Sequence, residues 1–213
     1  MHLKAVLFDL DGTLVDSTRA HVEAWINAAQ SLGIIVAREE VEALMGLSSL
    51  DIARSLLQGK GCIESAEHLA ALKDEIFMKE MLGEIELIDG ALEAVSWVKD
   101  KGLLSGVVSM NPARLIIEVL RLKGLLNLID VIVGSDNVER GKPAPDALLM
   151  ACELLEVKPD ECIYVGDKSY DVLAARNAGM KSVIVGEEVD EADHYLESIA
   201  ELPSLIRLLV RDQ

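Results

Sequence analysis

Two carboxylates sit where a buried strand should end. In Ala-Val-Leu-Phe-Asp-Leu-Asp-Gly-Thr-Leu-Val-Asp-Ser, residues 5–17, four apolar residues run into Asp9, and Asp11 follows two positions on. Like charges that close raise each other's pKa and cost free energy, so a metal ion or a chemical task must offset them. Asp9 is a plausible nucleophile at phosphorus, because aspartyl-phosphates are covalent intermediates in known catalysis. Asp11 points to the same side if the chain stays extended, and it can then act as general acid toward a leaving alkoxide. Gly12 lets the chain turn away sharply, and the Thr13 hydroxyl is expected to hold Asp9 or the turn.

Matching chemistry recurs downstream. Ser109, Met110 and Asn111 follow a second apolar run; Arg-Gly-Lys-Pro-Ala-Pro-Asp supplies Lys142; Gly-Asp-Lys-Ser-Tyr-Asp supplies Asp167 and Asp171. Three converging carboxylates, Asp9, Asp11 and Asp167, would select Mg²⁺ or a similar hard cation. A phosphate dianion beside Asp9 meets a repulsion of about 4 kcal/mol per charge pair at 4 Å and an effective dielectric near 20. Mg²⁺ and Lys142 supply the opposing charge, while Ser109 and nearby N–H groups can donate to phosphate oxygens.

The elements that must position these groups are legible as periodicity. Unalternating runs at 5–8, 104–109, 131–134, 162–166 and 182–186 have the length and Val/Ile content of strands buried on both faces. Helical segments lie between them: Ala91–Lys101, Ala113–Lys123, Asp146–Glu156 and Ser169–Ala178, three of them followed by glycine. The alternation predicts an α/β fold, a doubly wound parallel sheet of about five strands, which binds ligands beyond the carboxyl ends of its strands. Residues 17–82 carry no convincing strand. Val22, Trp25, Ile26, Ala29 and Leu32 follow helical spacing, with further helices expected near 39–45, 49–58 and 65–82. This stretch is longer than an ordinary crossover, so a helical cap is expected at 17–82, inserted into a core of 1–16 and 83–213.

Composition narrows the function classes. The net charge of −17 and the 3% aromatic content disfavour nucleic acid as a partner. No apolar run reaches the length of a membrane span and no leader pattern opens the chain, so a cytoplasmic protein with no membrane partner is expected. Cys62, Cys152 and Cys162 lack metal-ligand spacing and read as free thiols. The acidic stretch Glu187–Glu197 reads as solvated surface. Nothing demands more than a monomer or a weak homo-oligomer.

Taken together, these motifs resemble the haloacid dehalogenase superfamily, in its phosphatase branch with a small helical cap, which includes phosphoglycolate phosphatases and β-phosphoglucomutases. Asp-Leu-Asp-Gly-Thr matches the family's first motif, and Ser109, Lys142 and Asp167/Asp171 follow in its order. The resemblance implies Asp9 as nucleophile and Asp11 as general acid/base. It implies Mg²⁺ bound by the Asp9 carboxylate, the Asp11 backbone carbonyl and Asp167, with Asp171 behind them or as an alternative ligand. The substrate implied is a small phosphorylated metabolite. Two positions depart from the pattern: Met110 stands where the family often has Asn, with Asn111, expected on substrate beside Gly12 and Thr13, one residue later, and Lys168 stands where a small or acidic residue is usual. Lys168 is expected at solvent.

Met45–Ser49 resembles the cap loop that faces the site in this subfamily, and Lys73 a cap lysine offered to substrate. Both stretches also read as ordinary helix punctuation and surface charge. His21 reads as exposed helix decoration. A phosphosugar mutase of the β-phosphoglucomutase type is the alternative function, but the cap arginine that such mutases use would fall near Ser49. Dehalogenase chemistry lacks the second aspartate, which Asp11 supplies here.

Overall fold

The structure, a computed structural model, describes residues 2–60 and 65–211. Cys62 lies outside the described residues. The chain divides into two compact units, Met1–Asp16 with Leu87–Gln213, and Ser17–Glu86.

The first unit is built on a six-stranded parallel sheet. Its strands are β1 (Ala5–Phe8), β4 (Leu104–Val108), β5 (Val131–Val133), β6 (Cys162–Gly166), β7 (Lys181–Val185) and β8 (His194–Leu196), ordered β5-β4-β1-β6-β7-β8. Two-residue strands β2 (Val15–Asp16) and β3 (Glu86–Leu87) mark where the chain leaves and returns. The Ile88 N–H donates to the Leu14 carbonyl (3.0 Å), tying the outgoing and returning chain together within the sheet unit.

The chain moves from β1 to β4 and β5 on one side, then crosses to β6, β7 and β8 on the other. Strand order therefore reverses at β1, and the switch-point crevice opens at its carboxyl end. Phe8 closes β1 level with Val107 on one neighbour and Val165 on the other.

Right-handed crossovers put α5 (Ala91–Asp100) and α6 (Ala113–Leu122) on one face and α7 (Asp146–Leu154) and α8 (Ser169–Ala178) on the other. Ala5 and Leu7 pack with Ala147, Leu148 and Ala151 of α7 and with Ala174, Ala175 and Ala178 of α8. The period of two sends Val6 and Phe8 to the opposite face, and all four β1 side chains are fully buried. Cys152 and Cys162 are buried free thiols, distant in sequence but with sulfurs 3.5 Å apart.

The sheet has six strands where five were expected. The sixth, β8, lies inside the acidic stretch read as solvated surface, and α9 (Leu202–Arg211) follows it. Three residues are too few to show a period, and beside the backbone ladder a side chain anchors the pairing at its entrance. Asp193 accepts from the Ser182 N–H (3.0 Å) and hydroxyl (3.1 Å), and its own N–H donates to the Ser182 Oγ (3.0 Å). The opposite edge repeats the device: Asp130, just before β5, accepts from the Ser105 N–H (2.9 Å) and hydroxyl (3.2 Å) on β4. Burial works to raise the Asp130 carboxyl, but Lys99 and the Ser105 N–H hold it below its ordinary value. Each outer strand is thus registered by an aspartate at its entrance.

The second unit is helical: α1 (Thr18–Ser31), α2 (Arg38–Glu42), α3 (Ser49–Leu57) and α4 (Ala66–Ile76). Val22, Trp25, Ala28, Ala29, Val41, Ile52, Leu56 and Leu69 form its apolar centre. The last helix, expected to run to 82, gives way to a π turn at Phe77–Met81 and a 3₁₀ turn at Leu82–Glu84. His21 corrects its expectation: it is 2% exposed, stacked on Phe77 with ring centroids 4.0 Å apart. Aromatic stacking drew a polar residue into the apolar face.

Asp193→Ala should therefore lower stability by about 1 kcal/mol, the usual net worth of such bonds. Added to Ser182→Ala in urea unfolding, it should cost little more than either change alone, because the two remove the same contacts.

Candidate active site

Asp9, Ser109 and Asp167 each follow one of the three central strands, β1, β4 and β6, so the sheet itself brings them to one crevice. Backbone bonds extend the register just past the strands: the Asp9 N–H donates to Val165 (2.8 Å) and the Ser109 N–H to Val133 (3.1 Å). Lys142 reaches the same place from the loop between β5 and α7.

The geometric centre is an ion cluster. The Lys142 ammonium lies 3.0 Å from Asp9 Oδ1 and 2.6 Å from Asp171 Oδ1, with all three side chains under a tenth exposed. Asp9, Asp167 and Asp171 each offer an oxygen within 4.8 Å of the others. Burial pushes the Asp9 carboxyl well above the usual carboxylate range; Lys142 pulls it down, while Asp171, Asp167 and Asp11 push it further up. Burial works to lower Lys142, yet Asp171 and then Asp9 hold it well above an ordinary lysine. One buried ammonium does not balance that many carboxylates.

The donor set fits a hard divalent cation. Asp167 Oδ1 is buried with no hydrogen-bond partner, and burial raises this carboxyl too. An all-oxygen set with an orphaned carboxylate oxygen is what Mg²⁺ takes. Asp171 is more heavily committed, since its oxygens also accept from the Asp167 N–H (3.1 Å) and the Lys168 N–H (3.0 Å) at the start of α8.

The Asp11 side chain does not join that group, which corrects the expectation of three converging carboxylates at 9, 11 and 167. Its Oδ2 accepts from Asn111 Nδ2 (2.6 Å) and from the Ser109 hydroxyl (3.3 Å), and Ser109 Oγ in turn accepts from the Asn111 N–H (3.2 Å). Ser109 and Asn111, expected on substrate, hold Asp11 here.

Thr13 is a second correction: its hydroxyl is buried and bonds neither Asp9 nor the turn. The turn closes through backbone instead, Gly12 N–H to Val15 (2.8 Å) and Leu14 N–H to Leu10 (2.9 Å). Gly12 has a φ of +79°, and a Cβ there would fall 2.3 Å from Asp167 Oδ2. Its hydrogen side chain lets the Asp167 carboxylate approach.

Both departures from the motif pattern have structural roles. Met110 is buried, and its sulfur accepts the Lys142 N–H (3.2 Å), seating the lysine loop. A Cβ on Gly141 would come within 2.6 Å of that sulfur. Lys168 is half-exposed, as expected, but its ammonium pairs with Asp167 Oδ2 (3.0 Å).

Ser49 and Lys73 belong to the helical unit and are buried there. Ser49 Oγ donates to Asp74 Oδ1 (3.3 Å), as does Lys73 Nζ (3.2 Å), which also lies over the Trp25 (5.5 Å) and Phe77 (5.2 Å) rings. Lys73 is therefore not a surface lysine. Neither Asp74 nor Tyr164, whose hydroxyl meets Lys142 at 3.1 Å, was singled out by the motifs. The available signal for Tyr164 was a phenol inside an otherwise aliphatic strand, where the hydroxyl must find a partner.

Comparison with known proteins agrees with this geometry. Residues 6–185 match the family model for haloacid dehalogenase-like hydrolases, and the chain belongs to that family. It is 34% identical over 208 residues to hexitol phosphatase A of Escherichia coli, covering 93% of this chain and 94% of that one. It is 30% identical to the validoxylamine A 7′-phosphate phosphatase of Streptomyces hygroscopicus subsp. limoneus, covering 93% and 95%. The crystal structure of β-phosphoglucomutase from Clostridium difficile superposes with a TM-score of 0.88 at 26% identity, covering 99% of this chain and 98% of that one.

Two outcomes follow from the electrostatics. A carboxyl whose pKa is raised on folding contributes stability below its unfolded value, about 3.9, and loses it as pH rises through the folded value. Without divalent cation, Asp9→Asn should therefore melt above wild type at pH 8, with the gap closing as pH falls. Gly12→Ala should displace Asp167 and weaken Mg²⁺ affinity by about tenfold or more, read by calorimetric titration.

Proposed function

We propose that this chain is a Mg²⁺-dependent phosphatase that hydrolyses a small phosphomonoester through an aspartyl-phosphate on Asp9. The observation that carries the reading is the Asp9 carboxylate at the switch point, paired with buried Lys142 and grouped with Asp167 and Asp171. An Asp9 oxygen attacks phosphorus and the bond from phosphorus to the alcohol oxygen breaks. Asp11 gives that oxygen its proton. Asp11 then takes a proton from water as it attacks the same phosphorus, the bond to Asp9 breaks, and inorganic phosphate leaves.

Mg²⁺, held by the Asp9 and Asp167 carboxylates and the Asp11 carbonyl, would neutralise charge on the phosphoryl oxygens. Asp171 serves mainly to hold Lys142 and the turn that carries Asp167. Ser109 and Asn111 keep Asp11 in place, and Gly12 and Thr13 line the turn beside the phosphate. In the helical unit, residues 17–82 act as a cap whose Ser49 and Lys73 select the alcohol. The names of the relatives above favour polyol and sugar phosphates within the class. They also support a soluble small-molecule partner, and among the described residues no helix is long and apolar enough to cross a membrane.

The fold likeness to β-phosphoglucomutase keeps one other reading open to test, in which Asp9 returns the phosphoryl to a second hydroxyl of a sugar. Against it, position 49 is serine, and Arg54, a cation on α3, pairs with Asp51 (3.5 Å) and is exposed.

Phosphate release should be measured across hexitol phosphates, sugar phosphates, phosphoglycolate, nucleoside monophosphates and pyrophosphate, with Mg²⁺ and with EDTA. Mg²⁺-dependent release that Asp9→Asn abolishes is the expected result; hexose 1-phosphate isomerised without release would establish the mutase instead. Asp11→Asn should slow alkyl phosphates by about 10² to 10⁴. Its effect on p-nitrophenyl phosphate should be much smaller, since that leaving group hardly needs the proton.

A further inference from the structure

We propose that Tyr164 is a positioning residue for this reaction: its hydroxyl oxygen accepts a hydrogen bond from the third N–H of the Lys142 ammonium and so keeps Lys142 aimed at Asp9. The inference rests on the reading of Asp9 as nucleophile.

A lysine ammonium has three donors and no acceptor. At Lys142 all three find partners: Asp171 Oδ1 at 2.6 Å, Asp9 Oδ1 at 3.0 Å and Tyr164 Oη at 3.1 Å. The phenol cannot donate to an ammonium, so its proton must go elsewhere, and it goes to the Val108 carbonyl at 3.0 Å. That leaves an oxygen lone pair for Lys142. Burial, and after it the Asp9 charge, pushes the Tyr164 hydroxyl well above its ordinary pKa, so it stays protonated and keeps both bonds.

The hydroxyl also fixes Lys142 to the backbone frame. Val108 is the last residue of β4, one before Ser109, and Tyr164 is fully buried in the middle of β6. A chain of two bonds therefore runs from β4, through a β6 side chain, to the lysine. Packing alone does not require it, since phenylalanine would fill the same space in a strand that is otherwise apolar. With its donors committed to protein oxygens, Lys142 serves the reaction by holding the Asp9 carboxylate in line.

Without the hydroxyl, one ammonium proton loses its partner and the side chain can swing off Asp9. Such a loss acts on attack at phosphorus and leaves ground-state binding of the substrate alone, so it appears in kcat and not in KM.

The test compares wild type, Tyr164→Phe and Asp9→Asn as Mg²⁺-loaded enzymes on p-nitrophenyl phosphate, each with a thermal melt. For Tyr164→Phe the expected result is a kcat lower by about tenfold, the scale of one hydrogen bond to a charged group, with KM within about twofold and a cooperative melt. Tyr164→Met, which also lacks the hydroxyl and packs adaptably, should show the same split should the Phe variant fold poorly. A kcat within about twofold of wild type, beside an inactive Asp9→Asn, overturns the role of Tyr164 and leaves the phosphatase reading intact. A raised KM at unchanged kcat overturns it as well, since the hydroxyl would then serve binding. An active Asp9→Asn overturns the phosphatase reading itself, and this inference with it.

Discussion

Carboxylate repulsion at the end of β1 is the constraint on which the site depends. Asp9, Asp167 and Asp171 come together where burial already pushes the Asp9 carboxyl up, the Asp11 charge adds to that push, and Lys142 is the one buried cation among them. Two devices make this tolerable. Lys142 spends its donors on the cluster, bridging Asp9 and Asp171. Backbone N–H groups at the start of α8 take up Asp171 Oδ2, where the helix terminus also favours negative charge. Lys168 adds an ammonium at Asp167 Oδ2, but Asp167 Oδ1 is left without a hydrogen-bond partner, and under the proposed reading a divalent cation would add its charge there.

The sheet topology converts this local problem into a solvable one. Parallel strands all end on the same side, so adjacent β4, β1 and β6 deliver Ser109, Asp9 and Asp167 without any long loop having to find its place. The outer strands contribute differently. β5 and β8 are three residues long, too short to hold register by ladder bonds alone, and Asp130 and Asp193 pin them through Ser105 and Ser182. The β5 end of that arrangement matters for the site, because the loop after β5 carries Lys142 and is seated on the Met110 sulfur.

Legibility in the sequence followed how far each interaction reaches along the chain. Five strands and four helices of the sheet unit could be read because their signals are local: short Val/Ile runs, and glycine just beyond the helix ends. β8 could not, because three residues show no period and Asp193, which anchors its entrance, is in composition only one more acid in an acidic stretch. Asp9, Lys142 and Asp167 could be read as a set because each follows a strand. The orientation of Asp11 could not, since Asn111 lies 100 positions away and only the folded sheet shows which carboxylate it meets. Thr13 was misread for a related reason: the turn had backbone bonds enough, and no sequence rule counts them. His21 was read as a surface group, and Lys73 as a cap lysine offered to substrate or else a surface charge, whereas ring faces at Phe77 and Trp25 supply contacts that let both be buried.

The departures from the motif pattern argue for a division of labour inside the site. Where relatives often carry Asn directly after the motif serine, this chain carries Met110, whose sulfur serves the lysine loop, and moves the amide one residue on, where it meets Asp11. The serine is thereby left between two duties, accepting from the Asn111 N–H and donating to Asp11. Asp11 Oδ2 is thus held by a hydroxyl and an amide that both follow β4. Asp9 is held differently, by the buried ammonium of Lys142. In the proposed mechanism Asp11 exchanges a proton and Asp9 attacks as a carboxylate, and the two aspartates of the first motif meet partners of different kinds: a hydroxyl and an amide for one, an ammonium for the other.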